Sequence, residues 1–251
     1  MRVTITRVVN TCVLLEFPGD AVLTDPYFVR HWFLRLREPI GLNVSQLPVL
    51  TAILGGHSAL DHWQPQSMTS YPFKDTTPVY TATSGMAVQG RRFGFDRSEA
   101  LEWFAERQLS DGLSLEVAPA QVSFGLKANS YVLSSRAGRI YIGTESCDLA
   151  ALRRYRDDRP AVDIALLPID GSQLFGRSLV MDAGQAIEGA RILGARILIP
   201  FHYALRALPP ILRMPTGLPD LLRLSAECSD VAVVPLNTGQ RWSTELHRGP
   251  V

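Results

Sequence analysis

Between Ile53 and Trp63 the chain reads Ile-Leu-Gly-Gly-His-Ser-Ala-Leu-Asp-His-Trp, and this segment constrains the fold more than any other. An apolar run ends in Gly55-Gly56 and then delivers His57, Asp61 and His62 within six residues. Glycines let the backbone turn sharply, so short polar side chains at a strand's C-terminal end can point into one space. Imidazole nitrogen and carboxylate oxygen are donors that zinc, iron and manganese accept. The segment therefore asks for buried strands whose ends open on a common cavity. Taken alone, the same residues also fit an exposed loop that carries two histidines.

The flanking pattern predicts the strands. Arg2 to Val9 alternates, Cys12 to Phe17 is apolar, and the turn Pro18-Gly19-Asp20 leads into Ala21-Val22-Leu23-Thr24. Further strands are expected at 50–54, 79–82, 113–117, 129–133 and 139–142, with a short helix capped by Ser84 and ending near Gly94. From Asp163 strand and helix alternate: strands at 164–167, 196–199 and 231–236, and a helix from 218 to 226. Another helix is capped by Asp182, keeps helical spacing through Ala183, Ala186, Ile187, Ala190 and Leu193, and stops at Gly194. Two strand-rich halves, each with helices on one outer face, predict an α/β four-layer αββα sandwich. No linker divides the chain, so residues 1–251 read as one domain.

Composition excludes more than it proposes. A formal charge of +1 gives no electrostatic reason to expect nucleic acid or an anionic membrane as partner. No apolar run reaches the roughly 18 residues of a membrane span, and the start of the chain has no signal-peptide pattern. Three scattered cysteines, Cys12, Cys147 and Cys228, read as reduced thiols of a cytoplasmic protein.

The Gly-Gly-His segment resembles the His-x-His-x-Asp-His signature of the metallo-β-lactamase superfamily, with His57, Asp61 and His62 in matching places. Residues 12–17 and 21–28, ending in Thr24-Asp25-Pro26-Tyr27-Phe28, are similar to the opening hairpin of the branch containing L-ascorbate-6-phosphate lactonase and N-acylphosphatidylethanolamine phospholipase D. Ile142-Gly143-Thr144-Glu145 resembles that branch's strand ending in Gly-Asp-Thr, and Pro200-Phe201-His202-Tyr203 its strand presenting the last histidine. The resemblance implies the αββα sandwich and a metal-dependent hydrolase of an ester, lactone, amide or phosphodiester acting on a small molecule. It also implies Asp61, His62, Glu145 and His202, together with His57, as metal ligands, and Asp25 as a carboxylate orienting a ligating imidazole.

The departures matter as much. Ala59 stands where the family has its second histidine, and Val122 where this branch has another, so the first metal site keeps only His57 of its three ligands. The expectation is one divalent metal, zinc with iron or manganese as alternatives, and not two. Asp61 ligates or serves as general base, His57 becomes an acid or base or binds substrate, and Tyr203 donates to a developing oxyanion. Two other readings remain: a non-hydrolytic enzyme of cyclisation, elimination or oxidation, and a non-catalytic binding scaffold.

Around the site, His31 reads as a packed aromatic, with a substitute ligand or a proton-transfer group as the alternative, and Cys147 as a small hydrophobe or a neighbour of the metal. Arg30, Arg35 and Arg37 sit on a segment expected to cover the mouth; they form a solvated helix face or a seat for a carboxylate or phosphate. His247 reads as part of a polar tail. The stretches 32–49 and 207–218 are expected to shape the pocket or a homo-oligomer contact.

Overall fold

The computed structural model describes residues 1–32, 34–121, 126–146, 148–228 and 230–246. Three positions singled out above, Val122, Cys147 and His247, lie outside these residues.

The first sheet takes β1 (Arg2–Val9), β2 (Cys12–Phe17), β3 (Asp20–Thr24), β4 (Ala52–Gly55), β5 (Val79–Thr81) and β6 (Ser98–Ala100). The second takes β7 (Glu106–Ser110), β8 (Leu113–Gln121), β9 (Lys127–Ser134), β10 (Arg139–Ile142) and β11 (Ile164–Pro168). A small three-stranded sheet contains β12 (Gln173–Leu174), β13 (Arg177–Ser178) and β15 (Leu212–Arg213). The remaining strands, β14 (Ile197–Phe201) and β16 (Ala232–Val233), extend the second sheet, and β17 (Arg241–Glu245) returns to the first beside β1. Spatial order is β17-β1-β2-β3-β4-β5-β6 in one sheet and β16-β14-β11-β10-β9-β8-β7 in the other.

The two large sheets pack face to face. Val3, Ile5, Val13, Leu15, Val22 and Leu54 of the first meet Leu115, Val117, Tyr131, Leu133, Ile142, Leu166 and Ile199 of the second in one buried layer. Side chains alternate across a strand, so Ala165 and Leu167 of β11 point the other way. There they meet α2 (Leu149–Asp157), α3 (Ala183–Leu193) and α4 (Leu218–Ser225). On the outer face of the first sheet Leu14, Leu23 and Ile53 pack with Met86 of α1 (Ser84–Arg92), Trp63 and Phe95. The result is the expected αββα sandwich. Strand β11 is covered on both faces and is buried at every residue, the pattern of a central parallel strand.

Local chemistry sets the boundaries. The Asp182 side chain accepts from Gln185 N to cap α3, and Gly194 ends it in the left-handed conformation at φ 71°. The cap of α1 is Thr83 and not Ser84, which lies inside the helix. The strand expected over 231–236 is only Ala232–Val233, and β6, β7, α2 and β17 come in addition to the expected elements. Among the described residues no helix is long and apolar enough to cross a membrane.

Candidate metal centre

Parallel pairing of β3 with β4, and of β11 with both β10 and β14, brings the ends of these strands to one edge of the sandwich. Residues just beyond those ends supply the site: Asp25 after β3, His57 to His62 after β4, Glu145 after β10 and His202 after β14. Bonds between and within the sheets lock the edge together. Tyr131 donates its hydroxyl to the Gly55 carbonyl at 2.8 Å, Asn129 N donates to the Gly56 carbonyl at 2.9 Å, and Thr144 Oγ1 donates to the Asn129 carbonyl at 2.6 Å. Gly56 permits this approach because a Cβ built there overlaps the Thr144 side chain.

His62 Nε2 stands at the centre. It lies 3.2 Å from His202 Nε2, 3.5 Å from Asp61 Oδ2 and 3.6 Å from Glu145 Oε2. His202 Nε2 is also 3.5 Å from Asp61 Oδ2, while His57 Nδ1 rests in contact with Glu145 Oε2. The donor atoms fall into two triads, His57–His62–Glu145 and Asp61–His62–His202, which share His62. Of the expected ligands, all five are thus brought together, and His57 pairs with Glu145 instead of standing apart.

The outward ring nitrogens are anchored. His62 Nδ1 donates to Asp25 Oδ2 at 2.8 Å, and Asp25 Oδ1 accepts from Gly56 N at 2.7 Å. His202 Nδ1 donates to Asp170 Oδ2 at 3.2 Å, and Asp170 Oδ1 accepts from Ser172 N and Oγ at 2.9 and 2.7 Å. Each imidazole therefore turns Nε2 inward, the arrangement in which a carboxylate fixes the tautomer of a ligating histidine. Asp170 is absent from the sequence expectation. Its signal was present, a carboxylate two residues past a strand ending in proline, much as Asp25 follows β3.

Asn10 is a second addition, and no sequence pattern marks it. Its Nδ2 donates to the backbone carbonyl of Asp61 at 3.2 Å and to Asp61 Oδ2 at 3.3 Å, and its own carbonyl accepts from His202 N at 3.3 Å. Asn10, Asp25 and His202 all take left-handed backbone conformations, with φ of 47°, 36° and 57°.

Two expectations change. Tyr203 does not offer its hydroxyl to the cluster: it donates to the Leu236 carbonyl at 3.2 Å, and the Arg7 guanidinium sits 4.0 Å over its ring. Segment 29–38 contains no helix among its described residues, and Leu36 instead bridges Leu205. His31 packs its ring edge-on to Tyr27, as expected, and belongs to neither triad.

Burial and charge act against each other in the cluster. Burial opposes charge on His62, yet Asp61, Asp25 and Glu145 outweigh it and push the imidazole up to about 9. His202 is likewise buried, and Asp170 and Asp61 raise it well above its ordinary value. Burial would raise the acids, but the neighbouring imidazoles hold Asp61 and Glu145 below the usual carboxylate range. Four carboxylates (Asp25, Asp61, Glu145, Asp170) face three imidazoles, an acid-rich set that suits a bound cation. His57 Nδ1 meets Glu145 Oε2, and His57 Nε2 is buried without a hydrogen-bond partner among the described residues. An acid-rich, mostly buried cluster of imidazole and carboxylate groups fits a divalent ion.

The sequence model of the Beta-lactamase superfamily domain matches residues 20–203, a stretch running from β3 to just past His202. The chain belongs to the beta-lactamase superfamily. Solved structures of this superfamily's fold agree. An isothiocyanate hydrolase from Delia radicum gut bacteria superposes with a TM-score of 0.79 at 16% identity, covering 97% of this chain and 99% of that one. A metallo hydrolase from the archaeon Ignicoccus hospitalis gives 0.72 at 16% identity over 98% and 99%. CmlA, a diiron β-hydroxylase from Streptomyces venezuelae, gives 0.71 at 13% identity over 97% of this chain and 54% of that one. At these identities the superfamily likeness is one of fold. No curated protein matches the sequence significantly.

Proposed function

We propose that the chain is a metal-dependent hydrolase of an ester, lactone, amide or phosphodiester, using one divalent ion held by Asp61, His62 and His202 with Glu145 beside them. The observation that carries this reading is the sharing of His62 Nε2 between the two triads. One imidazole nitrogen has one lone pair for one ion, so filling either triad leaves the other short. Spacings of 3.2, 3.5 and 3.5 Å favour the Asp61–His62–His202 triad. They match the edges of about 3.3–3.4 Å that tetrahedral bonds of about 2.0–2.1 Å to zinc set between ligands. Zinc is the first choice, with iron or manganese as alternatives. Ala59, which cannot ligate, supports a single ion.

When bound, such an ion supplies Lewis acidity to a water and to the scissile carbonyl or phosphoryl oxygen. Asp25 and Asp170 keep the protons of His62 and His202 on Nδ1, away from the ligating nitrogens. His57 Nε2 is buried and unpartnered, while its Nδ1 rests on Glu145. His57 therefore holds a proton for the leaving group, with Glu145 balancing the charge on the ring. The whole of residues 1–251 acts as one domain on a small molecule in the cytoplasm.

Two measurements test this reading. Elemental analysis should give near one ion per chain, lost in His202→Ala. His57→Gln should keep the ion but slow hydrolysis roughly a hundredfold or more, within the range for a general acid. No ion under any loading condition, or loss of the ion with His57→Gln, refutes the assignment. A second reading, a non-hydrolytic oxidation, draws on the same mixed set of imidazoles and carboxylates, which suits iron as well as zinc; about one iron per chain with oxygen consumption would favour it.

A further inference from the structure

The chain before Glu38 runs antiparallel to the chain that follows His202. Leu36 bridges Leu205 in antiparallel fashion, Arg37 N donates to the Ala204 carbonyl at 2.7 Å, and Arg206 N donates to the Arg35 carbonyl at 2.9 Å. This register sets Arg35 directly opposite Arg206. Period-two alternation puts Arg37 on the same side as Arg35, while Leu205 is buried on the other. All three arginines are exposed.

Like charges directly opposite on paired extended segments are destabilising. Among the described residues no carboxylate lies within ion-pair distance of Arg35, Arg37 or Arg206. Their neighbour Glu38 gives both carboxylate oxygens to Arg7. The stretches 30–37 and 203–214 together hold Arg30, Arg35, Arg37, Arg206 and Arg213 and no acidic residue, in a chain of net charge +1. The pair of segments is tied to the metal centre, because the second begins two residues after His202. Arg37 also lines a cleft of about 200 Å³ with Glu38, whose carboxylate is taken by Arg7, and Asp170, whose carboxylate holds His202.

We propose that Arg35 and Arg206, with Arg37, seat an anionic group of the substrate, a carboxylate or a phosphate, an assignment of substrate class that rests on the hydrolase reading of the neighbouring centre. Guanidinium groups present forked donors that match either anion, and an anion between Arg35 and Arg206 turns a repulsion into two attractions. The substrate then lies with its acidic end on the paired segments and its scissile bond toward His62 and His202.

Calorimetric titration with inorganic phosphate and with glutarate, at constant ionic strength, tests the seat. The full chain is compared with an Arg35→Gln/Arg206→Gln variant, each as purified and after chelator treatment. Binding should be at least tenfold weaker in the double variant, with or without chelation. In anion-free buffer the double variant should melt no lower than the parent, since it loses a repulsion. Equal binding by both proteins overturns the proposal. So does binding confined to phosphatidylglycerol vesicles, against phosphatidylcholine controls, with no response to the soluble anions. Absence of metal would refute the hydrolase reading alone, because the chelated protein reports on the arginines separately.

Discussion

Replacing Asp25 by asparagine isolates the link between a buried carboxylate and a ligating imidazole. Asparagine tolerates a φ of 36° nearly as well as aspartate, so the backbone at this position is preserved. Its carbonyl oxygen can still accept from Gly56 N, which Asp25 Oδ1 does at 2.7 Å. The other arm becomes an amide N–H facing His62 Nδ1, where a carboxylate oxygen now accepts at 2.8 Å. Two donors then face each other, and the imidazole relieves the clash by moving its proton to Nε2, the atom meant for the ion. Removal of one of four carboxylates also weakens the pull on a cation. Loss of such a partner costs about 10- to 100-fold in metal affinity, or roughly 1.4–2.8 kcal/mol. Competition against a chromophoric chelator, with circular dichroism to show retained fold, measures it. A dissociation constant within threefold of the parent's would refute the claim that Asp25 sets the tautomer of His62.

Three further outcomes follow from the same geometry. His62 is held at about 9 against an ordinary 6.5, so its proton stabilises the ion-free fold fully below 6.5 and this contribution is lost as pH rises through 9. An incoming ion must displace the protons carried by His62 and His202, so affinity should weaken at least tenfold per pH unit from about 9 downward, with proton release seen by calorimetry in two buffers; pH-independent binding would contradict it. Gly56→Ala forces a methyl into the Thr144 side chain and should cost about 1–3 kcal/mol of stability and lower the bound-metal content; unchanged melting and metal content would count against the packing argument. Ile199→Ala opens a void between the two sheets and should cost about 2–5 kcal/mol in urea unfolding, whereas a loss under 1 kcal/mol would show that the layer collapses freely.

Legibility in the sequence followed burial. Strands covered on both faces, such as β11, are continuous apolar runs, and the turn that presents His57 to His62 carries its glycines openly. Strand β17 was not legible, because Arg-Trp-Ser-Thr-Glu at a sheet edge buries no residue fully and reads as a polar tail. Helix α2 hides a buried face of Ala151, Leu152 and Tyr155 among Arg153, Arg154, Arg156 and Asp157. In the site, the ligand types were visible because chemistry restricts them to a few residues. What held them was less so: Asp170 acts through a fold contact with His202, and Asn10 through a side-chain amide that reaches Asp61 far along the chain and a carbonyl that accepts from His202 N. Tyr203 was misplaced because its position beside His202 says nothing of which way its hydroxyl points.

The three left-handed bends at Asn10, Asp25 and His202 limit how this site can drift. Asparagine, aspartate and histidine are the non-glycine residues that accept such a bend most readily, and here one of each occupies it. Position 25 must satisfy a torsion and an imidazole together, and position 202 a torsion and an ion. Glycine would relax the torsion and empty the contact; a β-branched residue would forfeit both. The residues free to vary without moving the centre are therefore few, and each is already chemically close to the one it would replace.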